Sequence, residues 1–278
     1  MHLNLKGLLL SLNTPVVMGI VNYTDDSFYA LSRSVSEKSL LANVSQMLED
    51  GADIIDLGAV STRPGATEIE EDFEFYKIKS ALKLILDSFP NARISVDTWR
   101  ASVAEMALSE GAAMINDISG GTFDENMFAV IAKHNAPYCL MHTSSKPHLM
   151  QQCISYNNII AEMIQFFGSK INALKSLGVN DIVVDLGFGF GKSLDQNYFL
   201  LNNLQAFTTL NLPILVGISR KSMIYKFLDV SPNEALNGTT VLHVVSLLKG
   251  ANILRVHDVK TAKETIALIG KLNDQLFS

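Results

Sequence analysis

The sequence predicts an α/β protein, a (β/α)₈ barrel in a single domain over residues 1–278, on three observations. About eight short, apolar, β-rich runs recur along the chain and each closes on a polar residue. Helix-period patterns lie between them, and neither a composition break nor a low-complexity linker interrupts the alternation. That number of units in 278 residues fits a closed barrel of about 250 residues better than an open doubly wound sheet.

Taken in order, Leu5 to Leu12 is too short to span a membrane and lacks the features of a signal peptide, so it is expected to dock under the fold as a strand or short hairpin. VVMGIVN ends at Asn22. The helix expected over Val35 to Leu48 carries apolar residues at helical spacing and stops at Gly51. ADIIDLG holds Asp56, and the next helix, Glu70 to Phe89, is acidic at its start and ends before Pro90, as helix dipole and proline geometry require. RISVD closes on Asp97, AMIND on Asn116 and Asp117, YCLMH on His142, and DIVVD on Asp185. Helices are expected at Trp99 to Ser109, Asp124 to His134, and Tyr156 to Leu177 before Gly178. Asp185 runs into a loop with Gly187, Gly189 and Gly191, where the backbone can turn sharply and approach a ligand. ILVGISRK then ends at Ser219 to Lys221 and ILRVHD at Arg255 and His257, with helices over Asp195 to Phe207, Asn233 to Leu248 and Lys260 to Phe277.

Barrel chemistry sits at the C-terminal ends of the strands, which gathers Asn22, Asp56, Asp97, Asn116, Asp185, Lys221, Arg255 and His257 into one mouth. Any one of them alone reads as a cap or turn residue; the whole set does not. A net charge of −6 argues against a general nucleic-acid or anionic-membrane surface. Two cysteines, Cys139 and Cys153, form no disulfide framework or metal spacing, so a reducing cytosol is expected. GFGFGKS is no P-loop, because Leu186 stands where its first glycine is required, and the glycine spacing does not fit a dinucleotide fingerprint. His142 and His148 lack partners at zinc-ligand spacing, and Ser219 has no G-x-S-x-G frame. What remains is a set of acceptors. Asp97, Asn116 and Asp185 suit a planar heterocycle presenting adjacent N–H donors, and Lys221 and Arg255 add positive charge and a flat guanidinium able to stack on a ring. Arg63, Arg255 and His257 beside Asn22 suit a phosphate-bearing substrate, and the Asn22 amide oxygen suits Mg²⁺ whose other ligands are water and phosphate. STRPGAT, Ser61 to Thr67, reads as a mobile flap carrying Arg63.

The motifs resemble dihydropteroate synthase over essentially the whole chain: MGIVN with DDSF, STRPGA, SVDT, INDISGG, MH followed by P-x-x-MQ, D-x-GFGFGK, GISRKS and RVHDV. The resemblance implies condensation of 7,8-dihydropterin-6-ylmethyl diphosphate with p-aminobenzoate, releasing pyrophosphate. It implies pterin binding by Asp97, Asn116, Asp185, Lys221 and Arg255, with Asp97, Lys221 and Arg255 the catalytic groups. Asn22, Arg63, Arg255 and His257 would hold the diphosphate, with Mg²⁺ on Asn22. Thr62, Pro64, Phe190, Ser219 and Lys221 would shape the p-aminobenzoate site, its carboxylate lying at the helix start after GIS. A homodimer through the late helices is expected on the same ground, although the apolar surface of Asn233 to Leu248 is explained more simply by packing within one barrel.

The sequence departs from the family pattern in its loops. Asp25 replaces a proline; Tyr29, Ala30, Leu31 and Ser32 replace S-D-G-G; Ala59 and Val60 replace G-E; Leu186 replaces a proline and Ser145 a glycine. These changes spare the pterin floor and bear on rate, on the second substrate and on sulfonamide sensitivity. They keep open a pterin-binding paralogue without synthase activity, and a methyltransferase of the same superfamily remains a third reading.

Overall fold

The computed structural model describes residues 1–23, 30–59, 69–143 and 155–276. Eight parallel strands close a barrel: β3 (Val16–Asn22), β4 (Ile54–Gly58), β5 (Ile94–Asp97), β6 (Met114–Asp117), β7 (Tyr138–Met141), β8 (Ile182–Asp185), β9 (Ile214–Val216) and β10 (Ile253–Val256), the last pairing with both β9 and β3. Every run expected to be a strand contains one, although β9 stops at Val216 and leaves Ser219 to Lys221 in the loop beyond it. Around them lie α1 (Ala30–Glu49), α2 (Glu71–Ser88), α3 (Ala101–Glu110), α4 (Met127–His134), α5 (Ile159–Ser176), α6 (Leu194–Asn202), α7 (Ser222–Tyr225), α8 (Leu236–Leu248) and α9 (Val259–Leu276).

The period-2 alternation of each strand decides what faces the barrel axis. Outward residues such as Ile55, Leu57, Val96, Ile115 and Val184 join the helices in one large core, while inward Met18, Ile54, Met114, Cys139, Val183, Leu215 and Ile253 fill the lower interior. The same alternation turns Asp56, Asn116, Asp185 and Arg255 inward two positions beyond Ile54, Met114, Val183 and Ile253, with Asp97 two beyond buried Ser95, nearer the C-terminal ends. Strand register arranges the mouth: Asn22 pairs with Gly58, Gly58 with Asp97, and Asp97 with Asn116.

The N-terminal residues plug the opposite end, as expected. β1 (His2–Leu5) and β2 (Leu8–Ser11) form an antiparallel hairpin whose Leu3, Leu5 and Leu10, followed by Leu12, pack onto the lower interior. Burying such side chains contributes about 1.5–3 kcal/mol each, and the Asn4 N–H donates to Asp181 Oδ1 at 3.1 Å. The barrel is therefore sealed below and has one open face.

Some helix boundaries differ from expectation. The Asp195 to Phe207 segment is two elements: α6, and a 3₁₀ helix over Leu204–Leu210. A Ser193–Gln196 capping box starts α6, and Asn203 Nδ2 ends it by donating to the Phe199 carbonyl at 2.8 Å. Likewise Pro232–Glu234 is a separate 3₁₀ turn before α8. The packing expected for α8 is only partly met, since Val241 and Leu248 are exposed.

Candidate active site

The acceptor set of the sequence converges at the barrel mouth. Arg255 Nε donates to Asp56 Oδ2 at 2.6 Å and its terminal nitrogen to Asp97 Oδ2 at 2.7 Å, while Asn116 Nδ2 donates to the same Asp56 oxygen at 2.9 Å. These contacts join β4, β5, β6 and β10. They leave Asp56 Oδ1, Asp97 Oδ1 and Asn116 Oδ1 buried without a hydrogen-bond partner. Buried acceptors in that condition are costly unless something supplies donors, which makes them the signature of a ligand floor. Across the mouth, Asp185 Oδ1 accepts from the Gly187 N–H at 2.8 Å. Burial raises the Asp185 carboxyl pKa, against the pull of Lys221. Burial likewise raises Asp97, to about 7, with the Arg255 guanidinium opposing it. Lys221 is drawn down to about 8 by burial, with Asp185 opposing.

Lys221 Nζ donates to the Phe188 carbonyl at 2.6 Å and lies 4.5 Å from the Phe190 ring centroid. Phe190 packs with Trp99, Ile118 and Met141 in an apolar cluster at this end of the barrel. Ser219 Oγ accepts from the His257 N–H at 3.2 Å and lies 3.1 Å from His257 Nδ1, which ties the loop after β9 to the end of β10. Neighbouring Arg220, with φ of 52°, turns the other way, donating to Asp258 and to the Pro232 and Asn233 carbonyls. The two cations of SRK thus have separate tasks, Arg220 bracing the loop and Lys221 facing the site. The helix after GIS, α7, is a single turn, which carries little macrodipole for a carboxylate.

Asn22 stands exposed at the end of β3. A Cβ placed on Gly58 would sit 3.5 Å from Asp97 Cβ and 3.7 Å from Asn22 Oδ1, so the bare glycine leaves the two side chains sharing one space. Among the described residues no three His, Cys, Asp or Glu side chains gather as a metal cage. One amide oxygen beside a carboxylate fits Mg²⁺ held largely by water and phosphate.

Thr62, Arg63 and Pro64 lie outside the described residues, as do Asp25, Tyr29, Val60, Ser145, His148 and Cys153. What is described near the Arg63 loop is where it ends: Arg100 donates to the Ile69 carbonyl at 2.6 Å and pairs with buried Glu74, which also receives the Thr98 hydroxyl at 2.6 Å.

Two residues carry more than the sequence reading assigned them. Asp56 is placed by the sequence in the mouth without a role of its own, yet it links Arg255 to Asn116. Lys192 appeared only as the end of the glycine loop, yet its buried ammonium donates to the carbonyls of His142 (3.2 Å), Gly187 (3.0 Å) and Phe190 (3.0 Å). Burial draws its pKa down to about 7, opposed by Asp185. A Cβ on Gly187, whose φ is 66°, would come 2.1 Å from the His142 carbonyl oxygen, so only glycine allows the loops after β7 and β8 to meet around that ammonium. No periodicity signals Lys192; a lone basic residue closing a glycine run after an apolar strand is the one clue.

A one-faced barrel with a ring of acceptors, two cations and an apolar wall defines a protein that binds a flat, donor-rich heterocycle. The family model described as pterin binding enzyme matches residues 18–257. Dihydropteroate synthase of Synechocystis sp. is 42% identical over 94% of this chain and 90% of its own length, and that of Escherichia coli K12 is 38% identical over 97% and 95%. A Yersinia pestis dihydropteroate synthase solved with a sulfonamide drug complex superposes with a TM-score of 0.91 at 36% identity, covering 99% of this chain and 100% of that one. A Xanthomonas albilineans dihydropteroate synthase with 4-aminobenzoic acid gives 0.89 at 31% identity, covering 98% of each. The chain belongs to the dihydropteroate synthases of the pterin-binding enzyme family.

Proposed function

We propose that this protein condenses 7,8-dihydropterin-6-ylmethyl diphosphate with p-aminobenzoate to give 7,8-dihydropteroate and pyrophosphate. The observation that carries this reading is the buried Asp97 and Asn116 oxygens left open beside Asp185, in a mouth that also holds Lys221 and Arg255. A pterin supplies the ring N–H and amino donors that such a floor lacks. Lys221 would serve the pterin carbonyl and ring nitrogen, and Arg255 its face. Asn22, Arg63, Arg255 and His257 would take the diphosphate; Thr62, Pro64, Phe190, Ser219 and Lys221 the p-aminobenzoate. Asn22 would hold Mg²⁺, which when bound offsets charge on the departing diphosphate.

The chemistry is dissociative. The C–O bond to the diphosphate breaks, the pterin ring spreads the resulting methylene cation, the aniline nitrogen forms the new C–N bond, and that nitrogen then loses a proton. Asp97, ionised and aimed at the ring, stabilises the cation, and the basic residues stabilise the leaving group. Such a reaction needs placement and electrostatics more than a strong base. It also sets a pH profile. Asp97 must be ionised and Lys221 charged, so kcat/KM should rise as pH passes about 7 and fall above about 8. A profile flat from pH 6 to 9 would separate both groups from the rate-determining chemistry.

Pyrophosphate release with both substrates and Mg²⁺ tests the function directly. Release that requires p-aminobenzoate and is lost on chelation supports the whole reading. Pterin binding without turnover would support a binding paralogue. The protein is further proposed to act in the cytosol as a homodimer. Support comes from Phe199, Phe227, Val241 and Leu248, large exposed apolar residues on or beside α6 to α8, and from the groove between Tyr198, Leu201, Leu242 and Val245. A monomer by sedimentation would refute the dimer. Among the described residues no helix is long and apolar enough to cross a membrane.

A further inference from the structure

We infer that Asp56 is a positioning residue that fixes the hydrogen-bond polarity of the site floor, and through it selects a heterocycle with an amino group over one with a carbonyl at the same place. The inference rests on the pterin reading above and extends it to a residue in the layer behind the ligand.

An asparagine amide has a donor end and an acceptor end of almost equal shape, so something other than packing must decide which end faces a ligand. For Asn116 the deciding group is a carboxylate. Asp56 is fully buried on β4, and both donors that reach it meet one oxygen. Its Oδ2 receives Asn116 Nδ2 at 2.9 Å, which turns Asn116 Oδ1 away as an acceptor with no partner of its own. The same oxygen receives Arg255 Nε at 2.6 Å. With Nε so placed, the Arg255 terminal nitrogen meets Asp97 Oδ2 at 2.7 Å and leaves Asp97 Oδ1 open. One carboxylate oxygen thereby commits the donor of Asn116 and the fork of Arg255 at once. The free oxygen of Asn116 is an acceptor as a result, and it stands with the free oxygen of Asp97, an acceptor in its own right when ionised. A ligand carbonyl set against them meets oxygen on oxygen, whereas an amino group is matched.

The test compares calorimetric binding of a pterin with that of the pteridine-2,4-dione, in which oxygen replaces the 2-amino group. Removing the bridging oxygen in Asp56→Ser frees the Asn116 amide to rotate, so the preference for the pterin should fall by about tenfold, one hydrogen-bond mismatch at about 1.4 kcal/mol. Asp56→Ala, in which water can enter the vacated space, carries the same expectation if the serine variant does not fold. Asp56→Asn keeps an oxygen able to bridge both donors and should retain the preference even where absolute affinity drops. A purely structural role predicts that affinity for both ligands falls by one common factor. An unchanged ratio in Asp56→Ser and Asp56→Ala, with the wild type binding the pterin, overturns the role of Asp56 alone. Loss of the ratio in Asp56→Asn as large as in Asp56→Ser also overturns it. A wild type that binds neither ligand overturns the pterin reading and this role with it.

Discussion

Asp185→Asn should lower pterin affinity by about 10³-fold or more while leaving the folded protein intact. The variant is nearly isosteric, and its oxygen can still accept the Gly187 N–H now made to Asp185 Oδ1 at 2.8 Å. The amide nitrogen must then face the ligand, placing a donor against donors. A charge-assisted bond of about 1.5–3 kcal/mol is lost, and a buried mismatch of about 1–3 kcal/mol replaces it. Lys221, whose charge Asp185 supports, is left without its counter-ion. Lys221→Ala should remove binding to a similar degree. Calorimetry with a pterin is the measurement, and unchanged affinity in either variant would take that residue out of the site.

The second large effect is expected at Lys192. Lys192→Met keeps the length of the side chain and removes its donors, leaving the His142, Gly187 and Phe190 carbonyls facing an apolar group in a buried space. Leaving buried carbonyls without a donor costs about 1–3 kcal/mol each, for the three together a fall in Tm of about 10 °C in a chain of this size. Relief of the cost of burying the ammonium sets the lower end of that range. Because Phe190 hangs from this loop and Lys221 lies over its ring, KM for p-aminobenzoate should rise more than the pterin dissociation constant. Lys192→Arg should not rescue, since a planar fork cannot point at carbonyls arranged around a single ammonium. Thermal unfolding with a Tm within about 2 °C of wild type would show that the three carbonyls do not depend on the ammonium.

Of the departures in the loops, Ala59, in place of a glycine, and Leu186, in place of a proline, lie among residues whose side chains are described. Ala59 is buried in the main core beside Leu57 and Val96, so at that position the change adds packing. The floor contacts come from strands, and strand register does not depend on the loop beyond.

Strand identity, barrel closure and the polar strand ends were legible in the sequence, because a buried parallel strand of three to seven residues writes itself as a continuous apolar run followed by polar residues. Asp97, Asn116, Asp185, Lys221 and Arg255 could be named on that basis. Helix ends that turn on a side-chain cap, such as Ser193 and Asn203, were less legible, since a cap is a local contact with no periodic signature. Two things belonged to tertiary structure alone. Asp56 and Arg255 lie 199 residues apart, and only closure of the barrel brings them to 2.6 Å and so determines which oxygens of the floor stay open. The three carbonyls around Lys192 come from the loops after β7 and β8, and backbone oxygens carry no residue identity for a sequence to display. Side-chain chemistry is written residue by residue, whereas the direction in which an amide or a carbonyl points is set by whatever the fold puts opposite it.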